Sequence, residues 1–492
     1  MRLLISCFFL ALLTACSQGP DTEALRSNVS ERLEQALPDN VIELAGLTRM
    51  GSQADTRAPA GEKRRIVYFD AQLKLTRDLD FGAWNAPGVA GLISALGAGP
   101  RGIEGIKSGG NAAGDTIQAH GTALYRQENG QWVPIVPAGY LPAVAPGIAT
   151  ENHGTNATLL ALRRVVEAFP RDQSPEQHAA IQQELSAAQT NIRARLARLS
   201  DGFAIAAGAE HGQYLRVARA LFGQDGSRAV PLITRGGDEN LRLLRSGKAP
   251  LAIAQGDAAF DAYAGTGDFQ AQGPYAALRS IAALYPEPMH VLVRGDSALQ
   301  SMADLKGKRV AIGVPGSASR MTAIRVLQAH GIGLEDITPL ALGIHEELLA
   351  LEEGKADAVL QVIGTPADSI RELVTAMPVR MLPLSQAAID KLAQTGAGYF
   401  PYAISRGTYP GQEEDVATIA TAALLLTDTA FSDAEITSLV NRVFATGRDY
   451  SALGSAQGAH ISVRNSRHGL PIPMHPAAAK ALDALAQAPA TP

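Results

Sequence analysis

Hydrophobic positions change their spacing several times along this chain. Between Thr22 and Leu37 the apolar residues Leu25, Val29, Leu33 and Leu37 recur every fourth position, which predicts an amphipathic helix. The runs Val41–Thr48, Arg65–Thr76 and Thr116–Tyr125 then read as strands, and the last two alternate apolar with polar residues as half-buried strands do. A Gly-rich stretch from Gly82 to Gly114 separates them, and Asn129-Gly130 marks a turn before Trp132-Val133. Residues 23–140 are thus expected to form a small α+β domain, a helix on an antiparallel sheet, whose role the sequence does not disclose. Both tryptophans, Trp84 and Trp132, belong to this stretch.

Residues 141–200 read as a helical connector. Pro142, Pro146 and Gly147 interrupt the chain, and a helix is expected over Ala157–Phe169. Ser174-Pro175-Glu176 starts another, with proline at the first helical position. Its apolar face runs through Ile181, Leu185, Ala188, Ile192, Leu196 and Leu199, a pattern that suits core packing or a partner helix equally well. From Asp201 onward short apolar runs alternate with helical ones. Strands are expected at Phe203–Ala207, Val230–Thr234, Leu251–Gln255, Ile281–Leu284, Met289–Arg294, Arg309–Val314, Ala358–Ile363 and Arg380–Pro383. Helices are expected at Tyr214–Phe222, Glu239–Arg245, Arg320–Ala329, Ile344–Glu353 and Ala367–Thr375. Such alternation predicts an α/β fold with parallel βαβ units, whose ligands bind in turns beyond the carboxyl ends of the strands.

The N-terminal residues suggest a compartment. Arg2 precedes an apolar run, Leu3–Leu13, that is too short to span a bilayer, which takes roughly 20 residues, and suits a signal peptide. Leu13-Thr14-Ala15-Cys16 resembles the bacterial lipobox. That resemblance implies a signal peptide over residues 1–15, lipidation of Cys16 and a tether over 16–22. The chain would then be a lipoprotein held to the cell envelope by its lipid alone, facing the periplasm, with Ser17 favouring the outer membrane. The chain has two cysteines, Cys7 and Cys16, so processing would leave no free thiol to misoxidise. Net charge is −5 with no dense Lys/Arg cluster, which argues against nucleic acid as a partner. The ten histidines form no metal-binding spacing, Ser317 lies in no nucleophile elbow and no phosphate-binding loop occurs. The expectation is a protein that is not an enzyme and needs no cofactor or metal.

The stretch Leu305–Ala323 carries the candidate chemistry. A strand ends near Gly313, a tight turn follows, and a helix begins near Ser319, so unpaired N–H groups and the positive end of the helix dipole meet in the turn. An anion fits there. Ser317 and Ser319 add hydroxyls beside Ala318, and Arg320 could fork onto a carboxylate; Ser319 could equally be a plain helix cap. The run D-L-K-G-K-R-V-A-I-G followed by P-G-S-A-S-R resembles solute-binding subunits of TRAP-type transporters of the TAXI family. Thr234-Arg235-Gly236-Gly237-Asp238-Glu239-Asn240-Leu241, Gln255-Gly256-Asp257, Gly364-Thr365-Pro366 and Arg406–Gln412 resemble further motifs of that family in the same order.

The resemblance spans about residues 201–484 and implies a bilobed periplasmic-binding-protein (Venus-flytrap, type II) fold. Lobe one would take 201–294 and 400–484, lobe two 305–395, with crossing strands near Val291 and Tyr402. It further implies capture of a small carboxylate, such as an amino acid or 2-oxo acid, for a TRAP-type permease. The ligand-binding candidates are Ser317, Ala318, Ser319, Arg320, Tyr214, Arg235, Gly236, Gln255, Asp257 and Pro366. The chain departs from the family at Glu210-His211-Gly212-Gln213-Tyr214, where a Gly-Gly-Thr-Tyr-Tyr turn is usual, and at Gly237, where serine is usual. Tyr214 suits a cleft wall or the core, and His211 suits a surface turn better than a ligand contact. A second function of the same fold, ligand sensing for an envelope partner without transport, remains open.

Overall fold

The computed structural model describes residues 19–487, apart from 38–39, 57, 59–60, 85–87, 100–101, 136–173, 201, 224–228, 430 and 445–447. The signal run, Cys16 and the helix expected at 157–169 lie outside the described residues.

The first unit is a helix-covered antiparallel sheet. Helix α1 (Thr22–Ala36) is capped by Asp21, whose side chain accepts from Ala24 N at 2.8 Å. Strands β1 (Ile42–Ala54) and β2 (Arg64–Leu75) precede helix α2 (Gly88–Leu96), and β3 (Ile103–Glu104), β4 (Thr116–Glu128) and β5 (Gln131–Ile135) follow. The sheet order is β1-β2-β4-β3, with β5 also on β4. Alternation along β2 sends Val67, Phe69 and Leu73 to one face. There they pack with Leu25, Val29 and Leu33 of α1 and with Leu92, Ile93 and Leu96 of α2. Helix α2 falls inside the Gly-rich stretch Gly82–Gly114, where no helix was expected. Every residue of it is buried, so it carries no amphipathic period by which a sequence would reveal it.

Helix α3 (Pro175–Ser200) leads to the second unit, and its end is fixed by Arg198, which pairs with Glu435 at 2.9 Å and lies over the Phe431 ring. Leu185, Ile192 and Leu196 are exposed, so this apolar face is not core.

A ten-stranded sheet organises the rest, running from Thr338–Leu340 at one edge through Arg309–Ala311, Ala358–Val362, Arg279–Arg294, Val416–Thr427, Leu251–Gln255 and Phe203–Gly208 to Ala229–Ile233, with Val379–Met381 on Arg279–Arg294 and Phe400–Ile404 on Val416–Thr427. Lobe one begins with β6 (Phe203–Gly208), α4 (Gln213–Phe222), β7 (Ala229–Ile233), α5 (Gly237–Arg245), β8 (Leu251–Gln255) and α6 (Gly256–Ala264). Strand β9 (Arg279–Arg294) then runs out of lobe one into lobe two. Lobe two holds β10 (Arg309–Ala311), α7 (Ala318–Ala329), β11 (Thr338–Leu340), α8 (Ile344–Glu352), β12 (Ala358–Val362), α9 (Asp368–Ala376), β13 (Val379–Met381) and α10 (Gln386–Ala393). The chain returns through β14 (Phe400–Ile404) and β15 (Val416–Thr427) to α11 (Asp433–Val443) and α12 (Pro476–Gln487). Within each lobe the βαβ strands are parallel.

Two expectations change here. The runs Ile281–Leu284 and Met289–Arg294 are halves of one strand, continuous through Pro286 and Pro288, which pair with Ala422 and Ala420 of β15. The return crossing is shared: Tyr402 lies in β14, opposite Thr418 of β15.

The first unit is bolted to lobe one. Gly82 O accepts from Asn465 Nδ2 at 2.9 Å and faces His460 Nδ1 at 3.0 Å, and Gly105 N donates to Asp449. Trp84 packs against Phe400 and His468, so it belongs to the lobe-one core although its sequence neighbours belong to the first unit. A side chain at Gly82 would place its Cβ 1.9 Å from Ala459 O. Gly82→Ala should therefore cost about 1–3 kcal/mol of stability in urea unfolding and red-shift Trp84 emission; unchanged stability and emission would show that the joint yields.

Candidate functional site

The turns after the parallel strands converge where the two lobes meet. Gln213, the first residue of α4, is buried; its Nε2 donates to Gly364 O at 2.6 Å, and its Oε1 accepts from Gly364 N at 2.9 Å. Gln457 Nε2 donates to Pro366 O at 2.9 Å, again from lobe one to lobe two. Gly364 is required there, because a Cβ would lie 2.7 Å from Gln213 Oε1 and 2.8 Å from the Tyr285 ring.

A second bridge centres on Asp257 at the start of α6. Its carboxylate accepts from Thr322 Oγ1 of α7 and from Tyr399 OH at 2.6 Å. Arg325 of α7 reaches Asp261 at 2.6 Å, and Arg216 of α4 pairs with Asp368 of α9 at 3.2 Å. Lobe closure is thus held by hydrogen bonds and ion pairs between side chains of the protein itself.

The sequence candidates divide. Tyr214, Gln255, Asp257, Ser319 and Pro366 lie at or beside this junction. Tyr214 OH donates to Glu287 Oε2 at 2.7 Å, and Gln255 is buried with its Nε2 unpartnered. Ser317 caps α7 by position without a side-chain hydrogen bond, Ala318 is buried, and Ser319 Oγ accepts from Val362 N at 2.9 Å. Arg320 folds back, donating to Gly313 O at 2.8 Å. Arg235 stands 87% exposed and pairs with Glu239, while Gly236 precedes α5 with φ 134°. His211 is exposed, as its surface reading implies.

Sequence reasoning missed Gln213, Glu287, Thr322 and Arg325. Each acts through a partner at least 64 positions away, a relation that no local pattern carries. The Arg406–Gln412 motif proves to be a brace: Tyr409 OH meets His290 Nε2 at 2.9 Å and accepts from Ala367 N at 3.3 Å.

Residues 205–483 match the model of the NMT1-like family. The chain belongs to the NMT1-like family. Among solved structures, the alkanesulfonate-binding protein SsuA from Xanthomonas axonopodis pv. citri bound to MOPS is 19% identical over 58% of this chain and 90% of that one, with a TM-score of 0.32. The periplasmic aliphatic sulphonate binding protein SsuA from Escherichia coli is 17% identical over 57% and 78%, with a TM-score of 0.32. Both are among the structures to which the chain is similar, at a level that transfers no site. The fold of this NMT1-like protein is a bilobed α/β one, its two lobes joined through β9 and β15.

The NMT1-like junction is rich in buried acids. Burial pushes Glu287 up to about 8 and Glu347 up to about 8, and raises Asp257. Burial pushes His290 down to about 4. Glu287 and Glu347 hold protons in the folded state that they release on unfolding, so their contribution is full below 4.5 and lost as pH rises through about 8. His290, held neutral, costs stability only below its ordinary 6.5. Melting temperature should therefore fall between pH 6.5 and 8, and Glu287→Gln should flatten that slope. A flat wild-type profile would mean that Glu287 is ionised in the folded protein.

Proposed function

We propose that this chain binds a small solute between its two lobes and hands it to a membrane transporter, without catalysing a reaction. The observation that carries the reading is the polar network joining the lobes: Gln213 to Gly364, Asp257 to Thr322 and Arg325 to Asp261. Such contacts form only when a hinge closes. The hinge strands β9 and β15 supply the axis.

The finer reading is a small carboxylate carried to a TRAP-type permease, in keeping with the TAXI-like motifs. The anion would sit at the start of α7, where Ser317 makes no capping bond. Gln255 Nε2 supplies a buried donor in need of an acceptor. Arg320 would exchange Gly313 O for the carboxylate, and Tyr214, Arg235, Gly236, Asp257 and Pro366 would complete the surroundings. With its pKa pushed up to about 8, Glu287 is neutral at pH 7 and does not repel an anion. The protein would work outside the cytoplasm, tethered through Cys16. One observation favours the sensing alternative: the N-terminal unit is docked on lobe one and overhangs lobe two.

A thermal-shift screen of the protein from Ser17 onward against amino, dicarboxylic, 2-oxo and sugar acids tests this. A ligand at 100 times its dissociation constant stabilises the folded state by about 2.7 kcal/mol, a shift of several degrees. Arg320→Ala should abolish the shift while leaving the ligand-free melting temperature near wild type. Undiminished affinity in that variant would remove Arg320 from the site, and no shift with any acid would count against the carboxylate.

A further inference from the structure

A second cleft, of about 1150 Å³, lies between the N-terminal sheet and lobe two. One wall is the outer face of β1, β2 and β4, and the other is α8 and α9. Its lining includes Met50, Tyr68 and Leu349, which are 61%, 38% and 43% exposed. Large apolar side chains left in water on two facing walls favour an apolar occupant.

The charged groups of the lining are unevenly matched. Asp70 meets His120 at 2.7 Å, and Arg64 meets Glu62 at 2.5 Å. Arg371 is different: it is buried, its carboxylate partner Asp368 is 3.5 Å away, and its Nε has no hydrogen-bond partner. Glu352 and Glu372, also in the lining, are exposed, and Glu372 acts on Arg371 only by charge, leaving the guanidinium Nε without a hydrogen bond. A buried, weakly paired guanidinium favours an anionic group beside it.

We propose that this cleft binds an amphiphilic acid, an acyl-chain carboxylate whose chain lies on Met50, Tyr68 and Leu349 and whose head group meets Arg371. The site is separate from the solute junction and stands whether or not that reading holds. It is also coupled to closure by construction. The sheet wall rides on lobe one through Gly82, whereas the helical wall belongs to lobe two and is gripped by Arg216 through Asp368. Any hinge motion that separates Gln213 from Gly364 moves one wall against the other.

The test is titration of the protein from Ser17 onward with 11-(dansylamino)undecanoic acid, followed by competition. The expected result is saturable, blue-shifted emission that dodecanoate displaces and phosphatidylglycerol vesicles do not. Met50→Glu and Leu349→Glu, exposed positions on opposite walls, should each weaken binding at least tenfold, and Arg371→Gln should do the same. Equal binding by both Glu variants would overturn the proposal, as would absence of saturable binding. Displacement by vesicles but not by dodecanoate would assign the cleft to membrane lipid instead. A dimer that Met50→Glu dissociates would assign it to a second copy of the chain.

Discussion

Strand β9 is buried along nearly its whole length and crosses from one lobe to the other. Its lobe-one half pairs with β15 and its lobe-two half with β12 and β13, so one run of backbone hydrogen bonds ties both lobes together. A buried peptide group without a partner is costly, which fixes the register of every strand laid beside it. Glu287 sits between Pro286 and Pro288 in the middle of that strand, at the level where the lobes part. The hinge and one of the buried acids of the junction therefore share one segment.

Closure follows from that placement. The starts of α4, α6 and α7 all point into the gap beyond the strand ends, as parallel βαβ units require. Gln213, Asp257 and Thr322 lie in the first two turns of those helices and bond across the gap. Burial pushes Glu287 up to about 8, so this acid adds no negative charge to the junction at pH 7. The N-terminal unit adds a second boundary to the same motion, since it is fixed to lobe one and faces the outer helices of lobe two.

Much of the architecture was legible because the signals are local. Four-residue spacing gave α1, alternation gave β2 and β4, and short apolar runs before glycine turns gave β6, β8 and β12. Helix α2 escaped because it is apolar on every side, and β9 carries Pro286 and Pro288, which lack the N–H that a central strand normally donates, between the two runs expected as separate strands. At the candidate site, the turn from Gly313 to Ser319 was legible as a strand–turn–helix junction. The directions of Arg235 and Arg320 were not, since solvent and the Gly313 carbonyl compete for guanidinium groups in ways that spacing does not record.

Most of the elements and the order of the turns follow from local signals, because periodicity, glycine and capping residues act over a few positions. Tertiary structure alone decided which turns meet. It placed Trp84 in the lobe-one core, set Gln213 against Gly364 and left Arg371 weakly paired beside a second cleft. Those outcomes depend on packing between residues far apart in the chain, where the energy of a contact is set by geometry that no local pattern contains.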